Sequence, residues 1–165
     1  MIKFEKSIFI NRPQQEVFDY VTDLGNDPKW QSAIESVERT SEGPIGAGST
    51  WRYMTKFLGR KVETEIETTS YDPPNQASVK AISGPMPFEN TYKFESKDNG
   101  TQLSINGQAE IVGFYKLAEG LVGKQLEKQW QPSSIPGPYF SQSRRRKGDH
   151  PGMRGEGGWQ GYPSN

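Results

Sequence analysis

Residues 4–30, FEKSIFINRPQQEVFDYVTDLGNDPKW, carry the reading that decides the fold. Residues 3–10 read as a strand that runs directly into a helix. Asn11 stands where a helix cap belongs, and Pro13 suits a first helical turn because its missing N–H would lack a partner there. Gln14 and Glu16 add first-turn polarity that suits the positive end of the helix dipole. Val17, Phe18 and Val21 then form one apolar stripe on a helix of about three turns. Asn26, Asp27 and Pro28 restart the chain into a second short helical piece carrying Trp30. Two short helices with no strand between them suit a lid better than a crossover.

Working outward, residues 34–39 read as an edge strand, and the glycine-rich stretch 43–48 turns the chain back. Trp51, Tyr53, Thr55 and Phe57 alternate with Arg52, Met54 and Lys56. After a turn at Gly59, Val62, Thr64, Ile66 and Thr68 alternate with Glu63, Glu65 and Glu67. That is a period of two with one acidic face. Asp72-Pro73-Pro74-Asn75 is a turn. Ala77, Val79 and Ala81 form the next inward phase. Residues 83–87 break the pattern, and Phe88, Asn90, Tyr92 and Phe94 resume it. Asp98-Asn99-Gly100 signals a tight hairpin, with Asn and Gly accepting positive φ. Leu103, Ile105, Gly107, Ala109 and Ile111 close the series. Each strand has one face for water and one for the interior, so the sheet is antiparallel.

Residues 114–130 carry Phe114, Leu117, Ala118, Leu121, Val122, Gln125 and Leu126 at helical spacing. At ~1.5 Å per residue this helix is about 25 Å long, enough to cross the concave face of a sheet. Its Leu117/Leu121 side is expected to pack there.

Composition separates two materials. The 165 residues balance 20 Lys+Arg against 20 Asp+Glu. Residues 1–130 are mildly acidic and residues 131–165 are basic. The balance argues against a nucleic-acid-binding body. The chain has no cysteine, which excludes disulfide and thiolate chemistry. No stretch approaches membrane-spanning length and no basic-then-apolar leader opens the chain, so a cytoplasmic location is expected. Pro132 stops the closing helix. The Gly/Pro-rich residues 131–165 are expected to be a disordered tail, because they cannot bury enough apolar area to offset their ordering entropy. A frame change near codon 130 and a natural tail are the two explanations; the break in mid-helix favours the first.

Order and spacing together carry a resemblance. Ile10-Asn11-Arg12-Pro13, Glu16-Val17-Phe18, Trp30, Gly43-Pro44 with Gly46 and Gly48, Gly100-Thr101 before Leu103, and the closing helix occur in one sequence. Residues 2–129 resemble the START-related (SRPBCC) superfamily, which includes the birch-pollen allergen fold and the bacterial polyketide cyclase/dehydrase and lipid-transport proteins. The resemblance implies an α+β helix-grip domain over residues 1–130. Its curved seven-stranded antiparallel sheet would wrap a long C-terminal helix, with two short helices as a lid. It further implies an internal cavity for apolar small molecules such as lipids, polyketides or quinone-like compounds.

Stronger chemical readings fare less well. The loop at Gly46-Ala47-Gly48 lies between two strands, whereas a phosphate loop needs a helix behind it. Same-face residues on a strand stand ~7 Å apart, too far for Glu63, Glu65 and Glu67 to converge readily on one ion. Arg144-Arg145-Arg146-Lys147 reads as an incidental charge run. His150, the only histidine, lies outside the container, so the domain has no Ser-His pair and no imidazole ligand. Tyr53, Tyr92, Thr55, Thr64, Thr68 and Asn90 are the groups that could exchange protons inside the sheet. No carboxylate is found on the inward phase of the central strands, and Lys6 is given no role because the register of the first strand is ambiguous.

No catalytic residue, metal or cofactor is therefore assigned. The ligand surface is read as Trp51, Tyr53, Phe57, Ile66, Val79, Phe88, Asn90, Tyr92, Leu103, Ile105, Leu117 and Leu121. Asn90 and Tyr92 are its polar handles. Ligand pockets are ~300–1,000 Å³. At ~24 cal/mol per Å³ even the smallest would cost about 7 kcal/mol if left empty. Water, a ligand or collapse is the outcome. Binding of an apolar small molecule is the first reading. A polyketide cyclase/dehydratase is the second, to be favoured by a buried acid–base pair. An interaction module with a vestigial pocket is the third.

Overall fold

The computed structural model describes residues 1–57, 59–110, 112 and 124. Strand β1 (Ile2–Ile10) leads into helix α1 (Gln14–Thr22) and a 3-10 segment, η1 (Leu24–Lys29). Six strands follow: β2 (Ile34–Arg39), β3 (Thr50–Phe57), β4 (Arg60–Asp72), β5 (Gln76–Ala81), β6 (Phe88–Lys97) and β7 (Gly100–Ala109). They form one seven-stranded antiparallel sheet in the order β1-β7-β6-β5-β4-β3-β2. The first two strands therefore occupy opposite edges, and α1 with η1 bridges the whole width between them. The closing helix read at residues 114–130, and the tail beyond it, lie outside the described residues.

Alternation sets the sheet faces as read. Trp51, Tyr53 and Phe57 on β3, Thr64, Ile66 and Thr68 on β4, and Asn90, Tyr92 and Phe94 on β6 are all buried. The acidic face of β4 points outward, where Glu63 approaches Arg52 at 3.8 Å. Register shifts between Ile34 and Ser36 and between Thr68 and Ser70 mark irregular pairing, the kind of local kink that bends a strand. The register of β1 is also settled. Lys6 pairs across from Ile105 and shares the inward phase of Phe4, Ile8 and Ile10.

Three local details differ from expectation. The helix begins one residue later than read, with Pro13 at its cap position in extended geometry (φ −56°, ψ 145°) and no side-chain cap. Asn11 does not cap it. The chain is held instead by Thr101, whose buried hydroxyl donates to the Arg12 carbonyl at 2.8 Å. The first helical bond runs from the Val17 N–H to the Pro13 carbonyl. Trp30 is the C-cap of η1 rather than a residue within it. At the β6–β7 hairpin the positive φ falls on Asp98 (48°) and Asn99 (62°), not on Gly100. Lys97 pairs with Gly100, so the loop is two residues long and both must adopt left-handed geometry.

The core lies on the concave face under α1. Val17 and Phe18 are fully buried, and the Phe18 ring meets Phe94 and Tyr71 edge-on at 5.0 and 5.2 Å. Such pairs contribute about 0.5–1.5 kcal/mol beyond area burial. Gln14 also anchors the helix, donating to the Phe94 carbonyl at 2.8 Å.

Candidate functional site

Beyond the region filled by α1, the concave face holds a cavity of about 120 Å³. Every strand contributes to its wall, because the inward phase of a curved sheet converges. Phe4 comes from β1, Ile34 from β2, Tyr53, Thr55 and Phe57 from β3, and Val62, Thr64 and Ile66 from β4. Val79 comes from β5, Phe88, Asn90 and Tyr92 from β6, and Ala109 from β7. Asp27 and Gln31 enter from the lid, and Pro85 and Met86 from the β5–β6 loop.

Of the residues read from the sequence, Tyr53, Phe57, Ile66, Val79, Phe88, Asn90 and Tyr92 meet at this cavity. Trp51, Leu103 and Ile105 do not line it. They are 2 %, 1 % and 0 % exposed and belong to the cluster packed with Val17 and Phe18. The sequence assigns one inward phase to each strand but cannot say which part of that phase the helix fills. Leu117 and Leu121 lie outside the described residues. The cavity is also smaller than the ~300–1,000 Å³ expected of a ligand pocket. It is closer to the ~150 Å³ of an engineered apolar cavity that binds benzene.

One group at this site escaped the sequence reading. Asp27 is 2 % exposed, and its Oδ2 accepts a 2.6 Å hydrogen bond from the Tyr53 hydroxyl. Its Oδ1 is buried, and the Trp30 indole N–H is turned to the same carboxyl. Burial pushes the carboxyl up to about 8, with the Asp23 charge adding to the rise and Tyr53 and Trp30 opposing it. Burial also raises the Tyr53 phenol well above its ordinary value, and the neighbouring Asp27 reinforces this. Tyr92 is raised by the same two causes, opposed by the Asn90 amide. The carboxyl is thus neutral at pH 7, and both phenols keep their protons. Asn90 Oδ1 is a buried acceptor without a partner. Asp27 was missed because Asn-Asp-Pro reads only as the start of a short helical piece, and no periodicity runs through a 3-10 segment. The only local hint is a tryptophan three residues on, marking a lid that folds inward.

Gly107 brings Phe4 and Asn90 to this wall. A side chain there would collide with the Phe4 ring and with Asn90 Oδ1. Among the described residues no group of three or more His, Cys, Asp or Glu is placed to hold a metal ion. Nor is any helix among them long and apolar enough to cross a membrane.

Comparison with known proteins gives a consistent result. The family model described as polyketide cyclase/dehydrase and lipid transport matches residues 1–131. A solved structure from Thermus thermophilus is 22 % identical, covers 81 % of this chain and 92 % of its own, and superposes with a TM-score of 0.70. A START superfamily protein from Mycobacterium smegmatis is 12 % identical over 83 % of this chain and 96 % of its own, with a TM-score of 0.64. The di-domain ARO/CYC StfQ of the steffimycin biosynthetic pathway is 16 % identical over 76 % of this chain and 43 % of its own, with a TM-score of 0.59. At these identities the structures establish the helix-grip fold. No curated protein sequence matches the chain.

Proposed function

Because the chain belongs to the polyketide cyclase/dehydrase and lipid-transport family, we propose that its cavity binds an apolar small molecule and releases it unchanged. The observation that carries this is the wall itself. Aromatic and aliphatic side chains enclose about 120 Å³, with a few polar groups set among them. Ligand sites have this composition, since apolar area supplies affinity and sparse polar atoms fix orientation. The volume suits a ring of one or two cycles rather than a long acyl chain. A cytoplasmic location is part of the same reading.

Transformation is the second reading, a cyclase or dehydratase acting on a polyketide-like substrate. The buried Asp27–Tyr53 pair favours it, because a neutral carboxyl beside a phenol can act as an acid. Ring closure also needs a base. The cavity wall offers no second carboxylate, histidine or lysine among its described residues, so binding alone is the better account.

A thermal-shift screen of monocyclic and bicyclic aromatics, quinones, aromatic polyketides and fatty acids, with mass spectrometry of the recovered compounds, tests both. Stabilisation by the ring compounds with their masses unchanged is expected. Turnover of any compound moves the protein to the enzyme class. Absence of binding across the screen overturns the container reading.

A further inference from the structure

A ligand's formal charge finds no partner inside the cavity. No Lys, Arg or His lines the wall among the described residues, and an unpaired charge buried there would be costly. A charged substituent therefore belongs at the mouth, outside the apolar space that holds the ring.

The burial of the wall shows where that mouth lies. Tyr53, Ile66, Val79 and Tyr92 are buried, whereas Ile34, Thr55, Val62 and Phe88 are only half-buried. Thr55 pairs with Ile34 on one side and with Val62 on the other, next to the β3–β4 hairpin. The cavity opens toward that end of the sheet. There β4 begins with Arg60, which pairs across from Phe57. Opposed residues of an antiparallel pair share a face. Arg60 thus continues the inward phase of Val62, Thr64 and Ile66, all of them wall residues.

Arg60 is exposed, and its guanidinium has no ion-pair partner among the described residues. The carboxylates around the hairpin are engaged on the outward face, Glu35 with Lys61 at 3.0 Å and Glu63 with Arg52 at 3.8 Å. Two other cations occupy inward positions, and neither stands at the mouth. Arg39 donates to the Gly43 carbonyl and lies over the Trp51 ring. Lys6 pairs across from Ile105, a residue of the packed core.

We infer that Arg60 binds the anionic end of a ligand whose ring occupies the cavity, which makes the ligand class small aryl carboxylates with a short arm. This rests on the binding reading given above and adds to it a ligand class. One guanidinium fork matches one carboxylate; a dianionic phosphate would leave charge unpaired. The lengths agree. Two strand residues place Val62 and Arg60 ~7 Å apart. A two-carbon arm on a ring packed against Val62 brings its carboxylate within reach of the long arginine side chain.

A matched pair tests the assignment. 3-Phenylpropanoate and 3-phenylpropanamide share ring, arm and planar end group and differ in charge. Each is titrated into the full chain at neutral pH and moderate salt, followed by amide chemical shifts. The acid should bind about threefold tighter than the amide, the yield of one exposed ion pair. Salt near 1 M, which screens charges beyond ~3 Å, should erase that preference. Arg60→Gln should bring the acid down to the amide and leave the amide's own affinity unchanged. Lys56→Gln, on the outward phase of the same hairpin, should leave the preference in place. Equal binding of the pair by the wild type overturns the role of Arg60, as does a preference that survives Arg60→Gln or disappears in Lys56→Gln. In each of these cases binding of the amide leaves the container reading standing. Failure of both compounds to bind overturns the two together.

Discussion

Asp27 stores its main consequence for stability in its proton. In the unfolded chain its carboxyl titrates near 3.8, and in the folded protein near 8. Between those values the folded state holds a proton that the unfolded state has released. Raising the pH therefore favours unfolding, and the contribution of Asp27 is fully present below pH 4 and lost by about pH 8. Asp27→Asn keeps the shape and an acceptor for Tyr53 but removes the titration. Its melting temperature should match the wild type near pH 4 and exceed it near pH 8, by an amount equivalent to a few kcal/mol. Parallel melting curves at both pH values would show that the carboxyl is not held neutral. Only Trp30, three residues on, hints locally at this residue. Its burial comes from η1 packing beside β2 and beneath the Tyr53 hydroxyl, 26 positions away in the chain. Tyr53 and Tyr92, by contrast, were legible as inward-facing because strand alternation fixes side-chain direction without any tertiary knowledge.

At the scale of elements, the sheet was readable and the joints were not. Period-two patterns placed β3 to β7, since a one-residue slip would turn each apolar set to water, whereas the register of β1 stayed ambiguous. The start of α1 was misread by one residue because the Arg12 carbonyl is tied to Thr101, a partner 89 positions distant. Thr101 is fully buried, so Thr101→Val exchanges a hydroxyl for a methyl at nearly constant volume and leaves that carbonyl without its donor. A loss of about 1 kcal/mol is expected, seen as a melting temperature lower by roughly 3–5 °C. No change would mean that Thr101 does not anchor the helix. The β5–β6 loop offers a second test. Gly84 has φ +111°, and a Cβ there would lie 2.9 Å from Thr64 Oγ1 and 3.1 Å from the Glu63 carbonyl. Gly84→Ala should cost about 1–3 kcal/mol. It should also weaken ligand binding, because it displaces Pro85 and Met86 from the cavity wall. Unchanged affinity in that variant would show that the loop does not shape the site.

At the scale of the molecule, the described residues place a filled half and an open half on one curved sheet. Where α1 lies, Phe18, Phe94 and Leu103 close the core; where it does not, the same inward phases leave a cavity. Sequence alone could name the inward residues but not divide them, because the division depends on how far the helix reaches across the sheet. The extent of the folding unit is a matter of composition. The family match ends at residue 131, next to the Gly/Pro-rich segment that begins there. We propose that residues 1–130 fold without help from residues 131–165. Segments of such composition bury too little apolar surface to offset their ordering entropy, so their removal should cost nothing. Limited proteolysis that trims the chain to about residue 130 should leave the melting temperature within roughly 2 °C of the intact protein, and ligand affinity unchanged. A fall of more than about 5 °C, equivalent to about 1–2 kcal/mol for a domain of this size, would show that the segment docks on the sheet and belongs to the fold.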